Sequence, residues 1–234
     1  SINCAAGHHI YEGRWLRNGD TYLKDYIQFW VKGSGNVRSY STWIVDAIYQ
    51  FCLIKGDFQM AVDLLPHMTE NYEQWEKEHL HESGLFWSID DRDAMEYSIS
   101  GNGLRPALNS YLYADAIAIS KIADLAGDHL CAEKYRQKAE RIRQLVQERL
   151  WDQAVEFFKV IPLEKKKDAV QQWDFSQIET NHNVREEIGF IPWCFHLPDA
   201  GYEKAWKQIT DKEGFAAPYG PTTAEQRHPR YNYE

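Results

Sequence analysis

Residues 107–126, ALNSYLYADAIAISKIADLA, precede Gly127-Asp128 and residues 129–151, HLCAEKYRQKAERIRQLVQERLW. Apolar side chains recur every three or four residues in both segments, which predicts two helices. Glycine readily adopts the left-handed conformation that ends a helix, and aspartate caps the helix that follows. This stretch therefore predicts an αα-hairpin with a tight turn.

The same hairpin occurs earlier in the chain. Five pairs of positions share residue types at a constant offset of 71 residues, namely Ala47-Ile48 with Ala118-Ile119, Gly56-Asp57 with Gly127-Asp128, and Ala61 with Ala132. Hairpins that cannot bury their apolar faces alone stack on neighbouring hairpins. We therefore predict an all-α array of helical hairpins.

Two residues mark boundaries in the other predicted helices. Asp20 follows Asn18-Gly19 and is predicted to be the N-cap of the next helix. Pro66 lies inside the helical pattern of residues 58–80. Because proline lacks an amide N–H, it predicts a kink or a split there.

The joints between predicted helices alternate in length. Short joints at Asn18–Asp20, Gly56-Asp57 and Gly127-Asp128 alternate with long ones at 32–42, 81–106 and 157–185. Alternate joints of antiparallel helices lie at opposite ends, so the long loops should gather at one end. Because that end also holds most of the unexplained acids and aromatics, we predict that it is the functional face.

The loop Gly84–Asn109, GLFWSIDDRDAMEYSISGNGLRPALN, combines acids and arginines with Trp87 and Tyr97. Flat aromatic faces can lie against a sugar ring, and carboxylates and guanidinium groups can bond to its hydroxyls. A protonated acid there could act on a glycosidic oxygen. The alternative is an exposed acidic loop with buried aromatic plugs.

Composition restricts the class of partner. The chain has 234 residues, 44% of them hydrophobic, and a formal net charge of −9 without a sustained Lys/Arg run. This predicts a protein that binds neither nucleic acid nor anionic membrane. No apolar run approaches the roughly 20 residues that span a bilayer, so we predict a soluble protein, periplasmic or secreted if a signal peptide has been removed. The four cysteines lack CxxC spacing and predict free thiols rather than bridges or a metal site.

Several motifs extend over nearly the whole chain. They are ADAIAISKIADLAGD (114–128), ERLWD (148–152), GLFW (84–87), DAMEYS (93–98), REEIGFIPW (185–193) and GFAAPYGPTTAEQRHPR (214–230). Together they resemble the six-hairpin (α/α)6 glycoside hydrolases, in particular the group of trehalase, processing α-glucosidase (glycoside hydrolase family 63) and mannosylglycerate hydrolase. The resemblance implies an (α/α)6 toroid, incomplete in this chain, with residues 1–234 forming one catalytic domain or its N-terminal and middle part.

The resemblance also implies catalytic residues. The general acid of that group is an Asp in a Ser-Gly-(Trp or Met)-Asp-(Phe or Asn)-Ser motif, and Asp93–Ser98 matches it with Glu96 in place of the Asp and Ala94 in place of the Gly. Asp93 is the other candidate. Such enzymes invert the anomeric centre, which requires a second carboxylate as base. The resemblance places that base beyond Glu234, and Glu186 and Glu187 are weaker candidates.

Further residues are candidates for binding sugar hydroxyls or ring faces. They are Trp87, Tyr97, Trp43, Arg105, Asn109, Glu12, Arg185 and Glu187. Each has a structural alternative: core packing for Trp43, and a helix-start or cap role for Arg105 and Asn109.

The sequence and the resemblance together predict an inverting glycoside hydrolase that acts on an oligosaccharide or glycoside without a cofactor. No metal site is assigned, and a calcium ion bound by the acids of Asp90–Asp93 stays open. The alternatives are a non-catalytic helical-repeat scaffold that binds a glycan or protein, and an inactive segment of a larger glycosidase. The sugar, linkage and anomer are set by pocket shape, which the sequence does not reveal.

Overall fold

The computed structural model describes residues 3–33, 38–90, 92–93, 95, 98–163 and 183–231. The helices are α1 (Ala6–Gly13), α2 (Asp20–Lys32), α3 (Ile44–Lys55), α4 (Gln59–His79), α5 (Pro106–Leu125), α6 (His129–Leu145), α7 (Ile191–Cys194) and α8 (Lys207–Thr210). Short 3-10 helices span Asn3–Ala5, Glu187–Phe190 and Glu203–Trp206, and a π-helical turn spans Val146–Leu150. The strands are β1 (Trp87–Ser88), β2 (Gly103–Leu104), β3 (Trp151–Asp152), β4 (Phe157–Phe158), β5 (Ile161–Pro162), β6 (Ala216–Ala217) and β7 (Gly220–Pro221).

The chain divides into two compact units. The first unit comprises Ser1–Gly84 and Tyr111–Arg143, and the second comprises Leu85–Ser110 and Gln144–Glu234. The first unit contains helical hairpins and the long joint 32–42, whereas the second contains the short strands, the other long joints almost entirely, and the C-terminal turns.

Helices of the first unit form two layers. In one layer α1 packs against α3, and α3 in turn meets α5, because Asp115 of α5 accepts hydrogen bonds from the backbone of α3. In the other layer α2 packs against α4, and the aromatic rings of Tyr72 in α4 and Tyr135 in α6 meet edge to face. Odd helices therefore pack on odd ones and even helices on even ones, which is the arrangement of stacked αα-hairpins.

The repeat found in the sequence is confirmed at its turns. Gly56 and Gly127 have φ of 70° and 77°, the left-handed region that side chains disfavour. The Asp57 carboxylate accepts a hydrogen bond from Gln59 N at 3.0 Å, and that of Asp128 accepts one from Cys131 N at 3.0 Å. The matched Ala and Ile positions are all buried.

Two short joints of the first unit lie at the same end of the helices, as predicted. Lys55, at the end of α3, pairs with Asp20 at 2.8 Å and donates to Leu16 O at 3.0 Å, which joins two short joints. At the start of α3, Asn3 donates to Tyr40 O at 3.1 Å, on the side of the long loop. The two kinds of joint therefore lie at opposite ends of α3.

Two details of the helix boundaries differ from the prediction. Gly19 occupies the N-cap position of α2, and Asp20 is its first residue and pairs with Lys55. Pro66 does not split α4, which runs unbroken from Gln59 to His79. Leu64, Leu65 and Met68 are buried around Pro66, so packing of this face compensates for the lost backbone hydrogen bond.

A fully buried acid of α5 caps the start of α3. Trp43, at the N-cap position, makes no side-chain cap, and the Asp115 carboxylate instead accepts hydrogen bonds from Val45 N and Asp46 N, each at 3.0 Å. Burial raises the pKa of Asp115 well above its usual value, and the charge of Asp46 adds to the increase, although the two N–H donors oppose it. The helix N-terminus thus stabilises a carboxylate in an otherwise unfavourable place.

Three short antiparallel ribbons shape the second unit. Strands β1, β2 and β5 form one sheet, with Trp87 opposite Leu104 and Gly103 opposite Pro162. A Cβ at Gly103 would lie 2.2 Å from Ile161 O, so the sheet requires glycine there. Strands β3 and β4 pair next to an apolar cluster of Phe157, Phe190, Ala205 and Phe215.

The all-α fold class, built from helical hairpins of the (α/α) type, is confirmed. Among the residues that the structure describes, no helix has the length and apolar character needed to cross a bilayer. The four cysteines are free thiols, and Cys52 is buried.

The Asp115 cap can be tested by two substitutions. Asp115→Ala should lower the free energy of unfolding by about 1–3 kcal/mol, because two buried N–H groups lose their acceptor. Asp115→Asn keeps an acceptor oxygen but removes the ionisable group, so the two variants separate the hydrogen bonds from the charge.

The pH dependence of the Asp115→Asn variant follows from the raised pKa. The native carboxyl contributes its full stability below the unfolded pKa, near 3.8, and loses it as pH rises through the folded pKa. The variant escapes this loss, so its stability relative to the native protein should increase as pH rises above about 4. Urea unfolding across that range measures the difference, and a difference independent of pH would contradict the assignment.

Candidate active site

The acidic loop is anchored to the start of α5 by one amide side chain. Asn109 is fully buried, accepts a hydrogen bond from Phe86 N and donates to Phe86 O, both at 2.8 Å. It also donates to Arg105 O at 2.9 Å. These bonds use both N–H donors of the Asn109 amide and one of the two acceptor positions of its oxygen, so the residue predicted to bind sugar fixes the entrance of the loop.

A buried ion pair lies inside the loop. Arg105 Nε donates to Asp93 Oδ2 at 2.6 Å, and Nη2 donates to Asp93 Oδ1 at 3.0 Å. Arg105 is completely buried and Asp93 is 3% exposed. Burial acts to lower the pKa of Arg105, but the charge and hydrogen bonds of Asp93 outweigh it and raise that pKa. Both carboxylate oxygens of Asp93 are therefore engaged within the protein.

The same guanidinium group continues into a longer network. Arg105 Nη1 donates to Ser98 Oγ at 3.0 Å and to Gly101 O at 2.6 Å. The Ser98 hydroxyl in turn donates to Glu186 Oε2 at 2.9 Å, and Ile99 N donates to Glu186 Oε1 at 2.7 Å. Glu186 is 3% exposed, so the chain from Asp93 to Glu186 is a buried polar network.

This network holds both ends of the segment that carries the motif. Asp93 is held by Arg105, and Ser98 is held by Arg105 and Glu186. Glu96 and Tyr97, the acid and the aromatic predicted there, lie outside the described residues. The structure therefore fixes both ends of this segment, and Glu96 lies between them in the sequence.

Three of the other predicted sugar contacts belong to the same unit. Trp87 in β1 is partly exposed opposite Leu104. Arg185 forms an ion pair with Glu225, and its backbone N donates to Glu225 Oε1 at 2.8 Å. Glu187 is exposed at the start of a 3-10 helix, and partial burial of its carboxyl raises its pKa.

Trp43 and Glu12 belong to the first unit. Trp43 is 9% exposed and packs against the rings of His8, Tyr11 and Tyr111. Glu12 is exposed in the last turn of α1, just before the short joint to α2. These two residues thus belong to a different unit from the network around Arg105.

The sequence did not predict the roles that three polar residues of the second unit have in the structure. Ser98 is predicted only as the end of the motif, and Glu186 only as a weaker candidate for the base. Glu225 is not among the predicted site residues. The signal for Glu186 was the alternation of an extended strand: in RE, the side chains of successive residues face opposite sides. Among the described residues, no group of three or more His, Cys, Asp and Glu side chains is placed to hold a metal ion.

Comparison with known proteins identifies the family of this chain. A model of the mannosylglycerate hydrolase MGH1-like glycoside hydrolase domain matches residues 1–234. No match was found among curated proteins. Among solved structures, a protein named sialidase is similar, with a TM-score of 0.85 and 39% sequence identity. That similarity covers 97% of this chain and 20% of the sialidase chain, so the chain spans about a fifth of that protein.

The resemblance inferred from the motifs is confirmed. Because the family model covers the whole sequence, the chain belongs to the mannosylglycerate hydrolase MGH1-like glycoside hydrolase domain family.

Proposed function

We propose that this domain supplies the general acid of an inverting glycoside hydrolase, and that Glu96 is that acid. The observation that supports this choice is the buried Asp93–Arg105 pair. A general acid must be protonated and must reach the glycosidic oxygen. Asp93 meets neither condition, because its two oxygens accept hydrogen bonds from a guanidinium group and the residue is 3% exposed.

Arg105 and Glu186 act in this proposal as positioning residues. They bond to the ends of the segment, not to the substrate, and thereby fix the path of the backbone that carries Glu96. Rates of acid catalysis depend steeply on geometry, and misplacement by 1 Å can cost a factor of about 100. The buried network is a rigid support of the kind that such placement requires.

Trp87, Arg185 and Glu187 are the proposed contacts to sugar. Each is at least partly exposed and belongs to the unit that contains the network. The Trp87 indole offers an apolar face to a sugar ring, and Arg185 and Glu187 offer a donor and an acceptor to hydroxyls. Asn109 supports the loop and is not assigned a substrate contact.

The first test replaces the proposed acid. Glu96→Gln should reduce kcat about 100- to 10,000-fold on glycosides with poor leaving groups, because the leaving oxygen loses its proton donor. Dinitrophenyl glycosides, whose leaving group needs no proton, should be affected far less. Initial rates on matched alkyl and dinitrophenyl glycosides measure this difference, and equal losses on both would contradict the role of Glu96.

The stereochemical proposal has its own readout. Inversion predicts that the first sugar released has the opposite anomeric configuration to the substrate. Proton NMR recorded within the first turnovers, before mutarotation, distinguishes the anomers. Retention would refute inversion while leaving the glycosidase assignment intact, and binding without any turnover would favour a non-catalytic scaffold.

Asp93→Asn serves as the matched control for Glu96→Gln. It should lower the free energy of unfolding by about 3–5 kcal/mol, because it leaves the buried Arg105 cation without its counter-charge. Thermal unfolding compares the two variants. A marginal effect of Asp93→Asn on stability, together with loss of turnover, would instead identify Asp93 as the acid.

The positioning role is tested at Glu186. In Glu186→Gln one acceptor oxygen remains for two buried donors, Ser98 Oγ–H and Ile99 N–H. We expect kcat to fall about tenfold or more with KM nearly unchanged, and the Ile99 amide to exchange its hydrogen faster. Glu187→Gln, one residue along and exposed, should alter KM and leave the Ile99 exchange rate unchanged. Equal exchange rates in both variants would contradict the proposal.

A further inference from the structure

The second unit contains a cleft of about 320 Å³ beside the anchored loop. Its polar lining comes from Lys159, Asn183, Arg185, Glu225, Arg227 and His228. Val155 and Val184 add apolar surface. A volume at the low end of the usual 300–1,000 Å³ for ligand sites suits one ring-sized group rather than an extended chain.

The charges that line this cleft are balanced by carboxylates. Lys159 pairs with Asp152 at 2.7 Å, and Arg185 pairs with Glu225. Arg227 lies 3.3 Å from Glu225 and also pairs with Asp211. Three cations thus face three carboxylates. The described part of the cleft has no surplus charge with which to attract an anion.

Paired side chains of this kind still offer many hydrogen bonds. A guanidinium group has five N–H donors, and a carboxylate has about four acceptor positions, so the ion pairs leave both kinds unused. The Asn183 amide adds one more donor and acceptor group and contacts the ammonium group of Lys159. A sugar hydroxyl both donates and accepts, and is the ligand group that matches such a lining.

One extended segment connects the cleft to the anchored loop. Glu225 N donates to Arg185 O at 3.0 Å, and Arg185 N donates to the Glu225 side chain at Oε1, at 2.8 Å. Glu186 forms a bridge with Ala224. Successive side chains of an extended strand point to opposite faces. Glu186 therefore reaches the loop at Ser98, while Arg185 faces Glu225 in the cleft.

We infer that the cleft is a subsite for an uncharged sugar ring, next to the ring whose glycosidic bond is cleaved. The inference rests on the proposed function, because it takes the loop next to the cleft as the reacting centre. It goes further by assigning Lys159, Asn183, Arg185 and Glu225 to a neighbouring ring. It also defines the substrate class as a neutral oligosaccharide of at least two units.

The test uses binding, so that it does not depend on turnover. The Glu96→Gln protein is titrated by calorimetry with methyl glycosides of glucose, mannose and galactose, with the corresponding neutral disaccharides, and with disaccharides that carry a uronic acid as one ring. We expect the second neutral ring to improve affinity about tenfold, which corresponds to about 1.4 kcal/mol of binding free energy. A uronate ring in the same position should improve affinity less.

Two indole substitutions locate the second ring. Asn183→Trp, added to Glu96→Gln, fills the cleft from an exposed position and should abolish the gain. Gln153→Trp places the same side chain in a separate hollow of about 240 Å³ in this unit and should leave the gain intact. Asn183→Ala, which adds no bulk, should reduce the affinity for the neutral disaccharide two- to threefold. This variant tests the inference even if the indole variant does not fold.

Three outcomes would overturn the inference. The first is that the increase in affinity from a second neutral ring is unchanged in both Asn183 variants. The second is that a uronate ring increases affinity more than a neutral ring does. The third is that no sugar in the set binds. Failure of the proposed function is distinguishable, because cleft-dependent binding without turnover in the native protein would refute catalysis and leave the subsite standing. If the native protein hydrolyses glycosides but disaccharide binding is unchanged in the Asn183 variants, the subsite alone is refuted.

Discussion

The second unit depends on one cation that has no access to water. Arg105 lies directly before α5, and all three of its guanidinium nitrogens donate to partners within the loop. Removing a charge from water costs several kcal/mol, and the cost is recovered only when geometry and hydrogen bonding are nearly complete. Asp93, Ser98 and Gly101 must therefore keep fixed positions around Arg105. A loop rich in glycine and acids acquires a defined path from this requirement.

Ser98 transmits that constraint to a distant part of the chain. Its hydroxyl accepts from Arg105 and donates to Glu186, so it connects a cation with an anion through one oxygen. Hydrogen bonds in such a series polarise and strengthen one another at low dielectric. Glu186 also belongs to the strand that pairs with residues 223–225, so the position of this strand and the path of the loop are coupled.

Local features of the sequence predicted the hairpins well. The turns at Gly56-Asp57 and Gly127-Asp128 are determined by glycine conformation and aspartate capping, which operate over a few residues. The site was harder to predict because its decisive contacts are not local. No periodicity shows that Asp93 meets Arg105, or that Glu186 meets Ser98, 88 residues away in the chain. The choice between Asp93 and Glu96 depends on the first of these contacts.

The same contacts explain why the loop is stabilised by polar rather than apolar groups. Well-packed hydrophobic side chains of equal volume often stabilise a protein more than a buried ion pair does. The backbone of this loop, however, has to satisfy the buried N–H of Ile99 and the half-buried C=O of Gly101, and those bonds are supplied by Glu186 and Arg105. Apolar replacements would leave the Ile99 N–H unpaired at a cost of about 1–3 kcal/mol. A buried loop that must stay irregular needs charged side chains to stand in for the hydrogen bonds of a helix or a sheet.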